Sequence, residues 1–263
     1  MEQGELFLDY QDYSQKKVLI GLSGGINSMA VLCWLANIPE EFKPKYLFLF
    51  YAHFLEHSPD TEKFVMDGVE YAKKKFENVT YEQTNNSIID FFRDKKMIPH
   101  PMIAPCTSAL KIIPMAKYAK DNGIDIDLVG YVKEEKRRIK NMHKKNPSTV
   151  NTKGFPISNK SSEWCFSIVE KEIGWYPSIY NIRDEKGNRV FTHNNCLPCK
   201  NMQMSDYKEV QKYYPEYWKK AEDLSKELKK HWGRNSQEFY STFGREDWEV
   251  GFQKQSCEVC AFD

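Results

Sequence analysis

The stretch Lys17-Val18-Leu19-Ile20-Gly21-Leu22-Ser23-Gly24-Gly25-Ile26-Asn27-Ser28 decides the fold. Its first half is apolar and β-branched, the mark of a buried strand. Met29-Ala30-Val31-Leu32-Cys33-Trp34-Leu35 follows, an apolar run of helix formers. Strand, glycine turn and helix in that order aim backbone N–H groups and a helix N-terminus at a phosphate. The glycine pair permits positive φ and close backbone approach, and Ser23 and Ser28 add hydroxyl donors. A glycine pair alone also fits a plain βα turn; the strand before it and the helix after it favour the anion site. No Gly-Lys-Ser/Thr follows, so this is not a Walker loop.

Working outward, strand-like and helix-like segments alternate. Residues 45–53 read as a second buried strand and 79–83 as a third. Between them a helix runs from an Asp60 cap to about Phe76, with Phe64, Val65, Val69 and Ala72 at helical spacing. A helix passes through Ile88 to Phe92, another covers Ser108–Lys120, and residues 126–132 supply a fourth strand. This alternation predicts an α/β fold with a doubly wound, mostly parallel sheet, and ligands at the carboxyl ends of its strands. After Lys136 the chain changes character. Residues 140–160 are polar with Pro147, Gly154 and Pro156 and read as a long loop or lid. A helix over 163–172, a hairpin around 184–188 and a helical stretch from Ser205 to about Trp232, interrupted or kinked at Pro215, complete a C-terminal cysteine-bearing helical appendage. The expected division is a nucleotide-binding domain at 1–140 and a lid with a cysteine-rich helical region at 141–263.

With 38 Lys and Arg against 37 Asp and Glu, the net charge of +1 excludes a global field that would draw nucleic acid or membrane. Nucleic-acid binding would need a local patch. No apolar run approaches the ~20 residues of a membrane span. The acidic start, Met1-Glu2-Gln3-Gly4-Glu5-Leu6, lacks a signal peptide's basic and apolar regions, so a cytoplasmic location is expected. In that compartment seven cysteines point to metal, cluster or redox work more than to disulfides. Cys33 and Cys165 sit among apolar neighbours and read as packing. Cys196-x-x-Cys199 and Cys257-x-x-Cys260 differ, because each turn brings two thiolates within reach of one metal.

The loop resembles the SGGxDS loop of the PP-loop ATP pyrophosphatases, with Asn27 where that family usually has Asp. Three further stretches, in the family's order, are similar to its phosphoadenosine-phosphosulfate (PAPS) reductase-like branch. They are Glu56-His57-Ser58-Pro59-Asp60-Thr61, Cys106-Thr107-Ser108-Ala109-Leu110-Lys111-Ile112-Ile113-Pro114, and Gly130 to Arg138 with its Gly-x-x-x-x-Glu-x-x-Arg pattern. With Gly174-Trp175-Tyr176-Pro177 and Cys196-Leu197-Pro198-Cys199 the resemblance reaches about residue 202. It implies that Ser23, Gly24, Gly25, Asn27, Ser28, Glu56, His57 and Gly130 bind ATP, or PAPS or adenylyl sulfate, with Mg²⁺. It also implies that Asn27, Lys111, Arg137, Arg138 and Cys106 act in the chemistry. Glu56 and His57 also fit a cap on the helix beginning near Asp60, although their place at a strand's carboxyl end favours a ligand-facing role, and the arginines also fit a solvated helix face.

Two readings of the thiols stand open. Cys106, Cys196 and Cys199 with Cys260 or Cys257 would hold a 4Fe–4S cluster, as the resemblance implies, although Pro105 stands where cluster-bearing reductases have a second cysteine. Alternatively the two CxxC pairs close on a structural Zn²⁺. Three functions follow: ATP-dependent adenylation and sulfur transfer, PAPS reduction with Cys257 or Cys260 as nucleophile, or a nucleotide-binding module that lost catalysis at Asn27. The partners implied are an adenine nucleotide, a tRNA or DNA acceptor, a sulfur-donor or thiol-reductant protein, and a second copy of the chain, with no membrane.

Overall fold

A computed structural model of the chain describes residues 11–98, 105–145, 152–199, 201–202 and 204–228. Five parallel strands form one sheet in the order β3-β2-β1-β4-β5: β1 Lys17–Leu22, β2 Tyr46–Phe54, β3 Asn78–Asn86, β4 Ile126–Leu128 and β5 Thr152–Gly154. β1 runs alongside β2 from Lys17↔Tyr46 to Leu22↔Tyr51, and along its other edge pairs Val18↔Ile126 to Ile20↔Leu128. The chain therefore winds outward from β1 on one side, then returns to its other side. The reversal between β1 and β4 leaves a crevice at their carboxyl ends.

Alternation along the strands fills two cores. Val18, Ile20 and Leu22 of β1 and Leu47, Leu49 and Tyr51 of β2 face one side; Leu19, Phe48 and Phe50 face the other. The larger core is closed by helices α1 Ile26–Ala36, α2 Thr61–Lys75, α3 Ile88–Asp94 and α7 Ser162–Ile173, with α1 packed directly on α2 and α7. The smaller is closed by Tyr118 and Ala119, from one continuous helical run. That run begins at α4 Pro105–Thr107, widens into a π-helical segment Ser108–Ile112 and resumes as α5 Ile113–Asp121. Pro114 explains the wide turn: it has no N–H to offer, and its ring would strike the carbonyl four residues back in a regular helix.

Several elements depart from the sequence expectation. The fourth strand stops at Leu128, because Val129–Tyr131 turns away into the crevice, and the sheet is wholly parallel. Part of the expected lid is regular: α6 spans Lys136–Lys145, and β5 adds a strand from beyond residue 140. Gly154 makes that pairing close, since a Cβ there would lie 2.7 Å from Leu128 Cδ2. The C-terminal helical stretch is interrupted at Pro215 as the sequence predicts, giving α8 Met204–Tyr213 and α9 Pro215–Leu228, with Pro215 opening the second where its missing N–H costs nothing. Asp60 precedes α2 but does not cap it through its side chain; its Oδ2 accepts from Ser178 N at 2.6 Å instead. Cys257, Cys260 and the chain from 229 onward lie outside the described residues.

Candidate active site

A cleft of about 1210 Å³ opens where β1 and β4 diverge. Its floor is the turn after β1. Gly24 has φ +76°, and a Cβ there would lie 2.3 Å from Thr61 Cγ2, so both conformation and space require glycine. Ser28 Oγ accepts from Ser23 N at 3.1 Å and donates to Gly25 O at 3.0 Å, while Ser23 Oγ accepts from Gly25 N at 3.3 Å. Both hydroxyls thus hold the loop's shape as well as facing the cleft. Gly25 precedes α1 in an extended conformation, and the helix carries no acidic residue in its first turn. The partial positive charge of that N-terminus is left for an anion.

Opposite the loop stand residues from the motif after β4. A Cβ on Gly130 would lie 2.8 Å from Asn27 O and 3.2 Å from Ser28 N, so the β4 turn rests directly on the backbone of the glycine loop. Glu135 Oε2 lies 3.4 Å from Asn27 Nδ2 and 3.3 Å from Val132 N, and its other oxygen pairs with Arg138. Asn27 therefore donates toward a carboxylate across the cleft. Lys111, from the π-helical segment, lines the same cleft with Arg137 and Arg138, and its ammonium lies 5.0 Å from the centre of the Phe54 ring. Buried Asp127, on β4, is neutralised by Lys153 of the neighbouring strand.

Glu56 and His57 are placed elsewhere. Glu56 is buried, accepting from Ser87 Oγ at 2.7 Å and from Ile88 N at 2.8 Å, so its carboxylate caps α3 rather than facing the cleft. His57 is buried with Nδ1 3.0 Å from Tyr51 OH. Burial pushes its pKa well below the usual value, with Lys111 and His53 adding to the shift.

Two residues that no motif had marked tie the site together. Tyr180 OH accepts from Ile26 N at 3.2 Å and from Asn194 N at 3.1 Å, bridging the start of α1 and the chain leading to the CxxC turn. Asn194 Nδ2 donates to Gly24 O at 3.0 Å and to Thr61 Oγ1 at 2.8 Å. Only the nearby Gly174-Trp175-Tyr176-Pro177 stretch signalled this region; nothing in the spacing singled out Tyr180 or Asn194.

The thiols lie behind this clamp. Leu197 N donates to Glu56 O at 2.8 Å, fixing the turn to the end of β2. Burial pushes the Cys196 thiol strongly up; Lys111 opposes this, and Cys199 and Cys106 add to it, so three thiols and one ammonium share a neighbourhood. Among the described residues no three His, Cys, Asp or Glu side chains are arranged to hold a metal ion. The donor set is right in kind for a thiolate-bound metal, but as placed it is not a finished site. Cys33 and Cys165 are buried in the core, their thiols pushed up to about 12 chiefly by burial, as packing residues should be.

The sheet is the doubly wound, parallel one that the alternation of segments predicts. No family model matches the chain, and no curated protein does. Among solved structures it is similar to the U34-tRNA thiolase NcsA from Methanococcus maripaludis with its 4Fe–4S cluster, at 12% identity over 96% of this chain and 82% of that one, TM-score 0.46. It is similar to a PAPS reductase from Candida auris in its phosphate complex, at 14% identity over 64% and 78%, TM-score 0.40. A 4-thiouridine synthetase in complex with RNA and bound ATP is similar at 17% identity over 81% and 53%, TM-score 0.44. No helix among the described residues is long and apolar enough to cross a membrane.

Proposed function

We propose that this chain is an adenine-nucleotide-binding enzyme of the PP-loop, PAPS reductase-like kind, catalysing ATP-dependent adenylation and sulfur transfer. One observation carries this: the glycine loop and the α1 N-terminus face a cleft at the strand-order reversal, with Lys111, Arg137 and Arg138 lining the same cleft. The loop and α1 N-terminus would take the phosphates, and the three cations would offset negative charge as it develops on them. An acceptor oxygen attacks the α-phosphorus, the bond to the β-phosphate oxygen breaks, and pyrophosphate leaves. The adenylated oxygen is then a leaving group: hydrosulfide from a sulfide donor attacks the carbon that bears it, the C–O bond breaks, and the oxygen departs with AMP. Asn27 and Glu135 present oxygen donors of the type Mg²⁺ takes. A 4Fe–4S cluster on Cys106, Cys196, Cys199 and either Cys257 or Cys260 would supply a sulfur-handling centre beside the cleft.

Product analysis tests this reading. Incubation with ATP and a sulfur donor should release pyrophosphate and AMP in the presence of acceptor. Sulfite released from PAPS or adenylyl sulfate would assign the reductase chemistry instead. Nucleotide binding without either product would leave only the binding module.

A further inference from the structure

The two edges of the sheet are built differently. β5 is three residues long and carries Lys153, the short and charged kind of edge that discourages a further strand. β3, at the other edge, runs for nine residues and pairs with β2 at every one of them without a bulge. It holds no lysine and no proline, and among the described residues no strand lies along its outer side. A long, regular, unguarded edge is a template for another strand. Its side chains also stop short of full burial. Val79 and Tyr81 pack on the larger core yet stay half-buried, while Thr80 and Glu82 are exposed. None of the residues lining the cleft belongs to β3.

This edge is complementary to itself. An antiparallel register that sets Tyr81 opposite its own copy also sets Val79 opposite Gln83 and Thr80 opposite Glu82, each twice by symmetry. The aromatic pair is favourable, and the threonine hydroxyl can donate to the carboxylate. Centring the pair on Glu82 would face two carboxylates, which is unfavourable. The helix above the edge fits the same symmetry. α2 packs on both β2 and β3, and its Glu62 Oε2 lies 3.9 Å from Nε2 of His53 on β2. With strands about 4.8 Å apart, two such helices over their β2–β3 gaps would stand roughly 10 Å apart, near helix-packing distance. Running antiparallel, they would bring Glu62 at the start of one toward Lys73 near the end of the other, with half-buried Met66 between. Lys73 is engaged by Glu70 of its own helix at 2.8 Å, an exposed pair that holds it weakly. A net charge of +1 sets up little repulsion between copies. We infer that the chain forms a two-fold dimer by antiparallel pairing of its β3 edges, joining two five-stranded sheets into one.

The test is sedimentation equilibrium of the full chain, with circular dichroism to confirm that each variant is folded. The unaltered protein should dimerise reversibly. Thr80→Glu places carboxylates opposite each other at two symmetric points and should raise the dimer dissociation constant roughly 2–30-fold. Thr80→Lys should lower it by a similar factor, because each new ammonium meets Glu82 of the second copy. Adding Glu82→Lys to Thr80→Glu should restore association. Hydrogen exchange reads the contact directly: the β3 amides should slow as the protein is concentrated from monomer to dimer. A monomer at every concentration would overturn the inference. So would a dimer indifferent to the charge placed at residue 80, which would put the interface elsewhere. Amides of β3 already protected in the monomer would also overturn it, by giving this edge to another part of the same chain.

Discussion

Gly130 matters for what a side chain there would strike. The atoms nearest an added methyl are backbone, Asn27 O at 2.8 Å and Asn27 C at 2.9 Å, and backbone cannot swing aside as a side chain can. Gly130→Ala should therefore cost about 1–3 kcal/mol by urea denaturation. It should also weaken ATP binding in the fraction that remains folded, because the displaced atoms belong to the glycine loop. Wild-type ATP affinity in this variant would show that the loop tolerates the push. At His57 the effect is one of protonation. Its folded pKa is depressed by burial, then by Lys111 and His53, so below the unfolded value of ~6.5 the unfolded chain binds a proton that the folded chain refuses. Stability is full above pH ~6.5 and falls as pH drops toward the folded pKa, by up to about 1.4 kcal/mol per unit. His57→Gln should flatten that part of the pH–stability curve. An unchanged acid slope would place the titration elsewhere.

Among elements, the most consequential link joins α1 to the chain before the CxxC turn. Tyr180 OH serves two backbone donors from these segments, and burial raises its pKa to about 12, so it stays a neutral phenol. Tyr180→Phe keeps the ring among Phe166 and Tyr176 but leaves Ile26 N and Asn194 N without that acceptor. The expected cost is about 1–3 kcal/mol by thermal or urea unfolding, with a matching fall in ATP affinity from a loosened α1 N-terminus. Loss of stability alone, with ATP affinity intact, would make Tyr180 a packing residue only. This link also marks where reading the sequence ran out. β1, β2 and the glycine turn were legible because continuous apolar runs, β-branched in β1 and aromatic in β2, leave few alternatives when buried on both faces. β5 was not, since Thr152-Lys153-Gly154 has no apolar pattern and exists only by pairing with β4. Glu56 looked ligand-facing because it ends a strand, yet Ser87 and Ile88 claim both its oxygens. Contacts such as Asn194 to Gly24, 170 residues apart, leave no local trace in the chain.

At the scale of the molecule, the fold gathers thiols that the sequence scatters. Cys106 arrives on α4, whereas Cys196 and Cys199 arrive on a turn pinned to the end of β2 by Leu197 and to the glycine loop through Asn194. Cys106, Cys199 and Lys111 all act electrostatically on Cys196. A buried thiol whose pKa is pushed up is a poor nucleophile, so useful chemistry here requires positive charge to favour the thiolate. A bound metal supplies it by replacing the protons outright. Anaerobically purified protein should then contain iron and acid-labile sulfide and show the broad visible absorption of thiolate-bound iron. Cys196→Ser and Cys199→Ser should each remove the iron. Cys33→Ser and Cys165→Ser should retain it, because those thiols are core packing. Cys106→Ser decides between the two metals: it should strip iron if the three neighbouring thiols share a cluster. A colourless protein holding one zinc per chain, retained in Cys106→Ser but released by Cys257→Ser or Cys260→Ser, would instead assign the two CxxC pairs to a structural zinc. Sulfur would then have to reach the adenylated acceptor from a separate donor, while the glycine loop would keep its nucleotide.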